Sequence, residues 1–415
     1  MENRYVMYTE NSMGENIPDS VQVEQHPKRI NVQFILVGLA VLVVVAVSLL
    51  FFLTANKDYS KVATESAILN NSGDYAGAQR LLEEKIKSDS APELKLMLAN
   101  SYLDEGSVRG REASASEKAQ DILLPLKNSY QSPYLYDLLG YSYEIINDFD
   151  NAILYYNKSL ALDSKSVNTL FSIGHTYWLK GETDKARDFY NQADLAITDS
   201  TDNSVKIKVY AGIATLSKDL VRAEEYFLKT IPLSDSRAFK AEMYADLATL
   251  KLVQQDNSKA FEFAKMALQT DPSSEMAHLV FAKSAMAEKS VLESNLEKVR
   301  LSLFKAIFLA PVKAEPQYWQ GKFEFIGGNY DQAIRSYGNA LRLIDGDNSL
   351  NTDSRTVLRS DINFDLAVVY YLKKDNKNAN RYISEAFGGN PVKVMYVLEK
   401  NTQLKGLLAM LTGKK

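Results

Sequence analysis

Histidine and cysteine usage sets the first limit on the chemistry of this chain. The three histidines, His26, His175 and His278, lie far apart in the sequence, and none forms part of an acidic ligand box. A zinc site needs several nitrogen, sulfur or carboxylate ligands at close spacing, so we expect no metal. The chain has no cysteine, which excludes disulfides, thiolate ligands and a cysteine nucleophile.

Signatures of other catalytic classes are also missing from the 415 residues. There is no Walker-type phosphate loop, no dinucleotide glycine fingerprint, no Gly-x-Ser-x-Gly and no His-Glu-x-x-His. The pairs Gly327–Gly328 and Gly388–Gly389 fall between or after predicted helices, where glycine serves the backbone. Isolated carboxylates such as Glu144 are in general solvated helix residues. We therefore expect a protein that is not an enzyme and has no cofactor.

Composition favours a folded chain that does not bind nucleic acid. Apolar residues make up 46% and charged residues 24% of the sequence, as is usual for folded proteins. Acidic residues outnumber basic ones by 52 to 48 and no long basic run occurs. Phosphate binding leaves a basic footprint in a sequence, and this sequence has none.

Residues 34–53 form an uncharged apolar run of 20 residues. A helix of that length reaches about 30 Å, which matches the hydrocarbon core of a bilayer. A cleaved signal peptide, the alternative, has a shorter apolar core after a short basic start. Here 33 mostly polar residues come first. The pattern predicts a disordered polar tail over 1–30 and a single transmembrane helix over 31–55.

The charges on the two sides of this run are balanced. Lys28 and Arg29 precede it, and Lys57 and Lys61 follow it, so the positive-inside rule does not decide the direction. Large domains are translocated largely regardless of their charge. We therefore expect a single-pass protein of a bacterial plasma membrane, with a cytoplasmic N-terminus and the bulk of the chain outside the cytoplasm.

A repeat with a period of 34 residues follows in the middle of the chain. Four residue pairs share this spacing: Gly140 and Gly174, Tyr143 and Tyr177, Ala152 and Ala186, and Tyr156 and Tyr190. A small residue and an aromatic in one helix, then alanine and an aromatic in the next, resemble the tetratricopeptide repeat family. The resemblance implies stacked helix pairs in an α-solenoid, in which Gly140 and Gly174 let the paired helices cross closely.

The same pattern extends over nearly all of the chain after the apolar run. Nine small or β-branched residues mark the second helices: Ala78, Ala119, Ala152, Ala186, Ala223, Ala260, Val299, Ala333 and Ala379. The unit around Val299 is the weakest match. The predicted divisions are units 1–2 over 58–132, units 3–4 over 133–203, units 5–7 over 204–313, units 8–9 over 314–391, and a capping helix and tail over 392–415. The predicted fold class is all-α, a transmembrane helix followed by a solenoid of about nine pairs and a C-terminal cap.

The resemblance also implies where partners bind, because first helices in that family line a concave groove. Seven predicted groove residues follow from the matching positions: Tyr141, Phe171, His175, Trp178, Tyr318, Phe325 and Tyr371. Aromatic residues in a groove suit an extended peptide or a partner helix. The alternative is that these aromatics simply pack between adjacent helices. The positions lack the Lys/Arg and Asn pattern with which co-chaperone members clamp a C-terminal carboxylate.

The expected function is a membrane-tethered scaffold or adaptor that binds peptides or helical segments of partner proteins in this groove. The alternative is a self-associating structural or assembly factor of an envelope complex, or a non-catalytic subunit that positions an enzyme. Expected partners are proteins or peptides and the membrane, and the sequence leaves homo-oligomerisation open.

Overall fold

A computed structural model describes residues 59–413, which form α-helices and two short 3-10 turns and contain no strand. The chain divides into two compact units, which meet in sequence between Ser234 and Asp235. We describe each unit by itself, as residues 59–234 and residues 235–413.

The first unit contains ten helices in five consecutive pairs, and the members of each pair pack against each other. The helices are α1 (Ser60–Asn71), α2 (Tyr75–Ser88), α3 (Pro92–Arg109), α4 (Glu112–Leu126), α5 (Pro133–Glu144), α6 (Phe149–Leu162), α7 (Val167–Leu179), α8 (Thr183–Ala196), α9 (Asn203–Leu216) and α10 (Leu220–Thr230). The 3-10 turn Ile231–Leu233 follows the last of them.

The second unit contains four further pairs and two terminal helices. The helices are α11 (Arg237–Val253), α12 (Asn257–Thr270), α13 (Glu275–Met286), α14 (Lys289–Leu309), α15 (Ala314–Ile326), α16 (Tyr330–Leu343), α17 (Thr352–Leu372), α18 (Asn376–Gly389), α19 (Pro391–Lys400) and α20 (Lys405–Thr412). The 3-10 turn Thr402–Leu404 joins α19 to α20.

Seven of the nine turns inside the pairs share one chemistry, a residue with positive φ followed by a helix N-cap. Gly181 has a φ of +83°, a conformation that glycine adopts without steric cost. Asn147 takes the same turn with a φ of 62°, as the amide side chain tolerates this region. The next residue, Asp148, then accepts a hydrogen bond from the Asn151 backbone N–H at 3.3 Å and caps α6. These polar turns stop one helix and start the next.

In the pairs α5–α6 and α7–α8, the helices can cross closely because the first helix has a glycine, which has no side chain, at the crossing point. A Cβ placed on Gly140 in α5 would lie 2.5 Å from ring atoms of Tyr156 in α6. The same contact recurs between Gly174 and Tyr190 at 2.7 Å. The tyrosine ring therefore occupies the volume that a larger residue on the first helix would need.

The nine residues that marked the predicted units all lie in second helices, from α2 to α18, and none is more than 3% exposed. Val299, in the weakest unit, lies in α14. This helix has 21 residues and breaks at Asn295, whose φ of −129° is not helical. The Asn295 side-chain amide donates to the Val291 carbonyl at 2.8 Å and so competes with the helix backbone.

The C-terminal end of the second unit is closed by two helices in place of one capping helix. α19 buries Val394 and Leu398, and α20 buries Leu407 in the same apolar cluster as the last repeat pair. Asn401 follows α19 and accepts from the Gln403 N–H at 3.0 Å, which turns the chain before α20 starts. The last repeat pair is covered in this way by apolar side chains from both helices.

The fold class expected from the sequence needs a correction. No helix within residues 59–413 is long and apolar enough to cross a membrane. The longest helices, α14 and α17, have 21 residues each and carry charged side chains such as Arg300 and Arg359. The predicted tail over 1–30 and the run over 31–55 lie outside the described residues. The described architecture is an all-α arrangement of repeat pairs, and the transmembrane helix of the expected single-pass membrane protein is not found among residues 59–413.

Candidate partner-binding site

First helices of neighbouring pairs lie side by side in the first unit and form a shared face. Hydrogen bonds join them across this face. The hydroxyls of Ser107 in α3 and Tyr141 in α5 are 2.7 Å apart. Thr169 in α7 donates to the carboxylate of Asp137 in α5 at 2.9 Å. Backbone contacts between α7 and α9 continue the row. We call this surface, made by α3, α5, α7 and α9, the first-helix face.

Three of the predicted groove residues form an aromatic row on α7. The Phe171 and His175 rings stack with centroids 6.0 Å apart, and the His175 and Trp178 rings are 5.5 Å apart. Phe171 also stacks on Tyr190 of α8 at 5.3 Å, which fixes one end of the row to the second helix. His175 and Trp178 are half-buried, whereas Phe171 is buried. The row therefore offers its Trp178 end to solvent and anchors its Phe171 end in the core.

Glu144, which lies three residues after Tyr141 on α5, contacts this row. Its carboxylate accepts a hydrogen bond from the Thr176 hydroxyl at 2.5 Å and lies 3.1 Å from His175 Nδ1. Only 8% of Glu144 is exposed, so the expectation that it is a solvated residue is wrong. Two donors on α7 explain this burial, because a buried carboxylate requires hydrogen-bond partners. Phe171, His175 and Trp178 thus form one row on α7, and the Glu144 hydrogen bonds join it to α5, the helix that carries Tyr141.

Two charged residues of the first-helix face were missed by sequence reasoning. Asp104 in α3 is buried and accepts from the Asn100 amide at 2.9 Å. Burial raises the pKa of Asp104 to about 7, against the opposing effects of that hydrogen bond and of the Lys208 charge. Lys208 in α9 lies with Nζ 6.0 Å from the Phe171 ring centroid. Burial lowers the pKa of Lys208 to about 8, and the charges of Glu144 and Asp104 oppose this change.

No sequence signal marked these two residues as partners. Asp104 and Lys208 are 104 positions apart and lie in helices whose spacing departs from the 34-residue period. Their electrostatic coupling across the face arises from the stacking of α3, α5, α7 and α9, which local patterns do not encode.

The three remaining predicted residues lie in the second unit and have different surroundings. Tyr318 and Phe325 of α15 are buried, and their rings pack against Tyr337 at 5.9 Å and Tyr330 at 5.9 Å. Tyr371 of α17 lies under α20, since a Cβ on Gly406 would meet its hydroxyl oxygen at 2.3 Å. The structure therefore places these residues in helix packing, and it does not bring Tyr371 together with the other two.

The chemistry available at the first-helix face is that of binding. Aromatic rings, a basic side chain and partly desolvated carboxyl groups lie next to one another, which suits a ligand with both apolar and charged groups. Within residues 59–413, no group of three or more His, Asp or Glu is arranged to hold a metal ion.

Comparison with known proteins agrees with this architecture. The tetratricopeptide repeat model matches residues 133–166 and 167–196, the two units that carry Tyr141, Phe171, His175 and Trp178. Residues 133–196 are therefore two tetratricopeptide repeats, and such repeats are in general non-catalytic scaffolds. The match does not extend to the narrower expectation of a membrane-anchored bacterial-type member. No curated protein matches the sequence.

Solved structures share the fold at low sequence identity. The apo form of RapI is 14% identical, with a TM-score of 0.58 over 80% of this chain and 97% of that chain. The human IFIT1 dimer with PPP-AAAA is 14% identical, with a TM-score of 0.50 over 100% of this chain and 91% of that chain. At such identity the likeness concerns the fold alone.

Proposed function

We propose that this protein is a scaffold that binds a peptide or helical segment of a partner protein on the first-helix face. The contact centres on Trp178 and His175, with Tyr141 and Lys208 beside them. The observation that carries the proposal is the aromatic row on α7, which the Glu144 hydrogen bonds join to α5, the helix that carries Tyr141.

A rigid aromatic row supports binding for an energetic reason. Aromatic side chains bring a large contact area with few torsions to immobilise, so little conformational entropy is lost when a ligand covers them. His175 is held by Glu144 and by stacking on Phe171. The row therefore holds its shape before a ligand arrives, as preorganised binding sites do.

The charges indicate what else the ligand carries. Asp104 and Glu144 lie within electrostatic reach of Lys208, which gives the face both signs of charge in a partly desolvated setting. A segment with one apolar anchor and charged flanks matches such a surface better than a purely apolar one.

The test is affinity capture with the full chain and a triple variant, Tyr141→Ala, Phe171→Ala and Trp178→Ala. We expect the variant to lose partner proteins that the wild type retains. Because Phe171 is buried, a milder variant, His175→Ala with Trp178→Ala, is measured in parallel by circular dichroism and capture.

The matched control is Leu195→Ala on α8, a side chain that is 87% exposed and lies on a second helix. It removes apolar area from the same unit without touching the first-helix face. Retention of every partner by the folded milder variant would show that the face is not the binding site.

A further inference from the structure

The second unit carries an exposed apolar surface that the first-helix face does not explain. It lies on α14 and the turn after it, and it comprises Leu301, Phe304, Phe308 and Val312, which we call the α14 stripe. These side chains are 53%, 64%, 73% and 66% exposed, respectively. The Phe304 and Phe308 rings stack with centroids 6.5 Å apart, so they form one continuous patch.

The α14 stripe lies on a different side of α14 from the residues that pack into the core. Val299, Leu303 and Ala306 are fully buried against the neighbouring helices. At 100° per residue, these three point away from Phe304 and Phe308. A helix that is apolar on two opposite sides is ordinarily covered on both. The two phenylalanines alone offer on the order of 300 Å² of apolar surface.

The flanks of the stripe are basic. The segment from Lys298 to Lys313 contains four basic residues and no acidic one. On the helix, Arg300 falls on one side of the stripe, and Lys298 and Lys305 fall on the other. Lys313 is already paired with Glu275 at 2.7 Å, and Arg300 is paired with Glu297 at 2.8 Å, which leaves Lys298 and Lys305 to set the charge beside the patch.

This charge pattern selects among possible occupants. A second copy of the chain would bring Lys298 and Lys305 against the same two basic residues, which is unfavourable. A helix with an apolar stripe and acidic flanks would bury Phe304 and Phe308 and place carboxylates opposite Lys298 and Lys305. We propose that the α14 stripe is a second docking surface, which binds an acidic amphipathic helix of a partner protein.

The test uses two synthetic 18-residue amphipathic peptides with identical leucine stripes, one with glutamate and one with lysine at all flanking positions. Their binding to the full chain is measured by fluorescence anisotropy. We expect the glutamate peptide to bind and the lysine peptide to bind at least about tenfold more weakly. Replacement of both phenylalanines, Phe304→Ser with Phe308→Ser, should weaken the glutamate peptide by about tenfold or more.

Charge reversal distinguishes specific docking from non-specific hydrophobic binding. In the variant Lys298→Glu, Arg300→Glu and Lys305→Glu, the preference should invert in favour of the lysine peptide. The matched control, Leu195→Ser, removes an exposed apolar side chain in the first unit and should leave the glutamate peptide unaffected. All the replaced side chains are exposed, apart from the half-buried Lys305, so circular dichroism is expected to stay unchanged.

Several outcomes would overturn the proposal. These are equal binding of both peptides, no binding of either, or undiminished binding by the phenylalanine variant. Stripe-dependent binding to phosphatidylglycerol vesicles without peptide binding would identify a lipid surface instead. A concentration-dependent dimer that the phenylalanine variant abolishes would identify a second copy.

Discussion

Replacement of Gly140 by alanine tests the packing that positions Tyr141 and Glu144. The new Cβ would lie 2.5 Å from the Cδ1 and Cε1 atoms of Tyr156, a side chain that is 2% exposed and has little room to move. Overpacking of this kind costs about 1–3 kcal/mol. Alanine in a helix gains about 1 kcal/mol over glycine. The steric cost exceeds the propensity gain over most of that range, so we expect a net loss of up to about 2 kcal/mol.

The assay is urea unfolding of the full chain followed by far-UV circular dichroism. The matched control is Gly338→Ala in α16, where no atom lies within 4 Å of the new Cβ. This control should be stabilised by up to about 1 kcal/mol. In a Tyr156→Leu background, Gly140→Ala should cost less, because the ring that opposes the methyl group is gone. A Gly140→Ala protein as stable as the Gly338→Ala protein would refute the packing argument.

Three further predictions concern single side chains. Burial raises the pKa of Asp104 from 3.8 to about 7, so the folded chain holds a proton that the unfolded chain releases over this interval. The free energy of unfolding should therefore fall as pH rises from about 4 to about 7, and Asp104→Asn should flatten this slope in urea titrations; an unchanged slope would contradict the assignment. Thr176→Val removes a donor from the buried Glu144 carboxylate and should cost about 1–3 kcal/mol, measured by the same unfolding assay. Gly406→Ala places a methyl group 2.3 Å from the Tyr371 hydroxyl oxygen and should loosen α20, which hydrogen exchange would report as faster exchange over Lys405–Thr412.

A local sequence pattern could predict the positions at which the contact between paired helices leaves room for only one type of residue. Gly140 and Gly174 sit where a tyrosine ring approaches the first helix, and Ala152 and Ala186 are fully buried where helices meet. Such positions repeat every 34 residues because each pair meets the same steric demand. Even the weak seventh unit kept its marker, Val299, in a second helix.

The parts that escaped prediction depend on contacts between distant helices. Asp104 and Lys208 influence each other across four stacked helices, and nothing in either local sequence reports this. Tyr371 matched a groove position by its spacing, yet α20 packs on it because the chain ends in two helices. Tyr318 and Phe325 in the second unit pack between helices, as the alternative interpretation of the aromatic residues predicts.

Glu144 shows how burial changes the interpretation of a common residue. A lone glutamate on a helix is usually solvated, but the next first helix supplies two donors and makes the carboxylate part of the face. The candidate site therefore depends on contacts between stacked repeats. The seven predicted residues were chosen one position at a time, without those contacts.

The most direct test of the central claim is photocrosslinking from the first-helix face. p-Benzoylphenylalanine replaces Trp178 in the full chain, an aromatic exchange at a half-buried position, and in a parallel protein it replaces Leu195 on α8. We predict that the probe at position 178 crosslinks a partner protein through one short segment, as mapped by mass spectrometry, and that the probe at position 195 does not. Equal crosslinking from both positions, or none from position 178 while the partner is still captured, would contradict partner binding at this face.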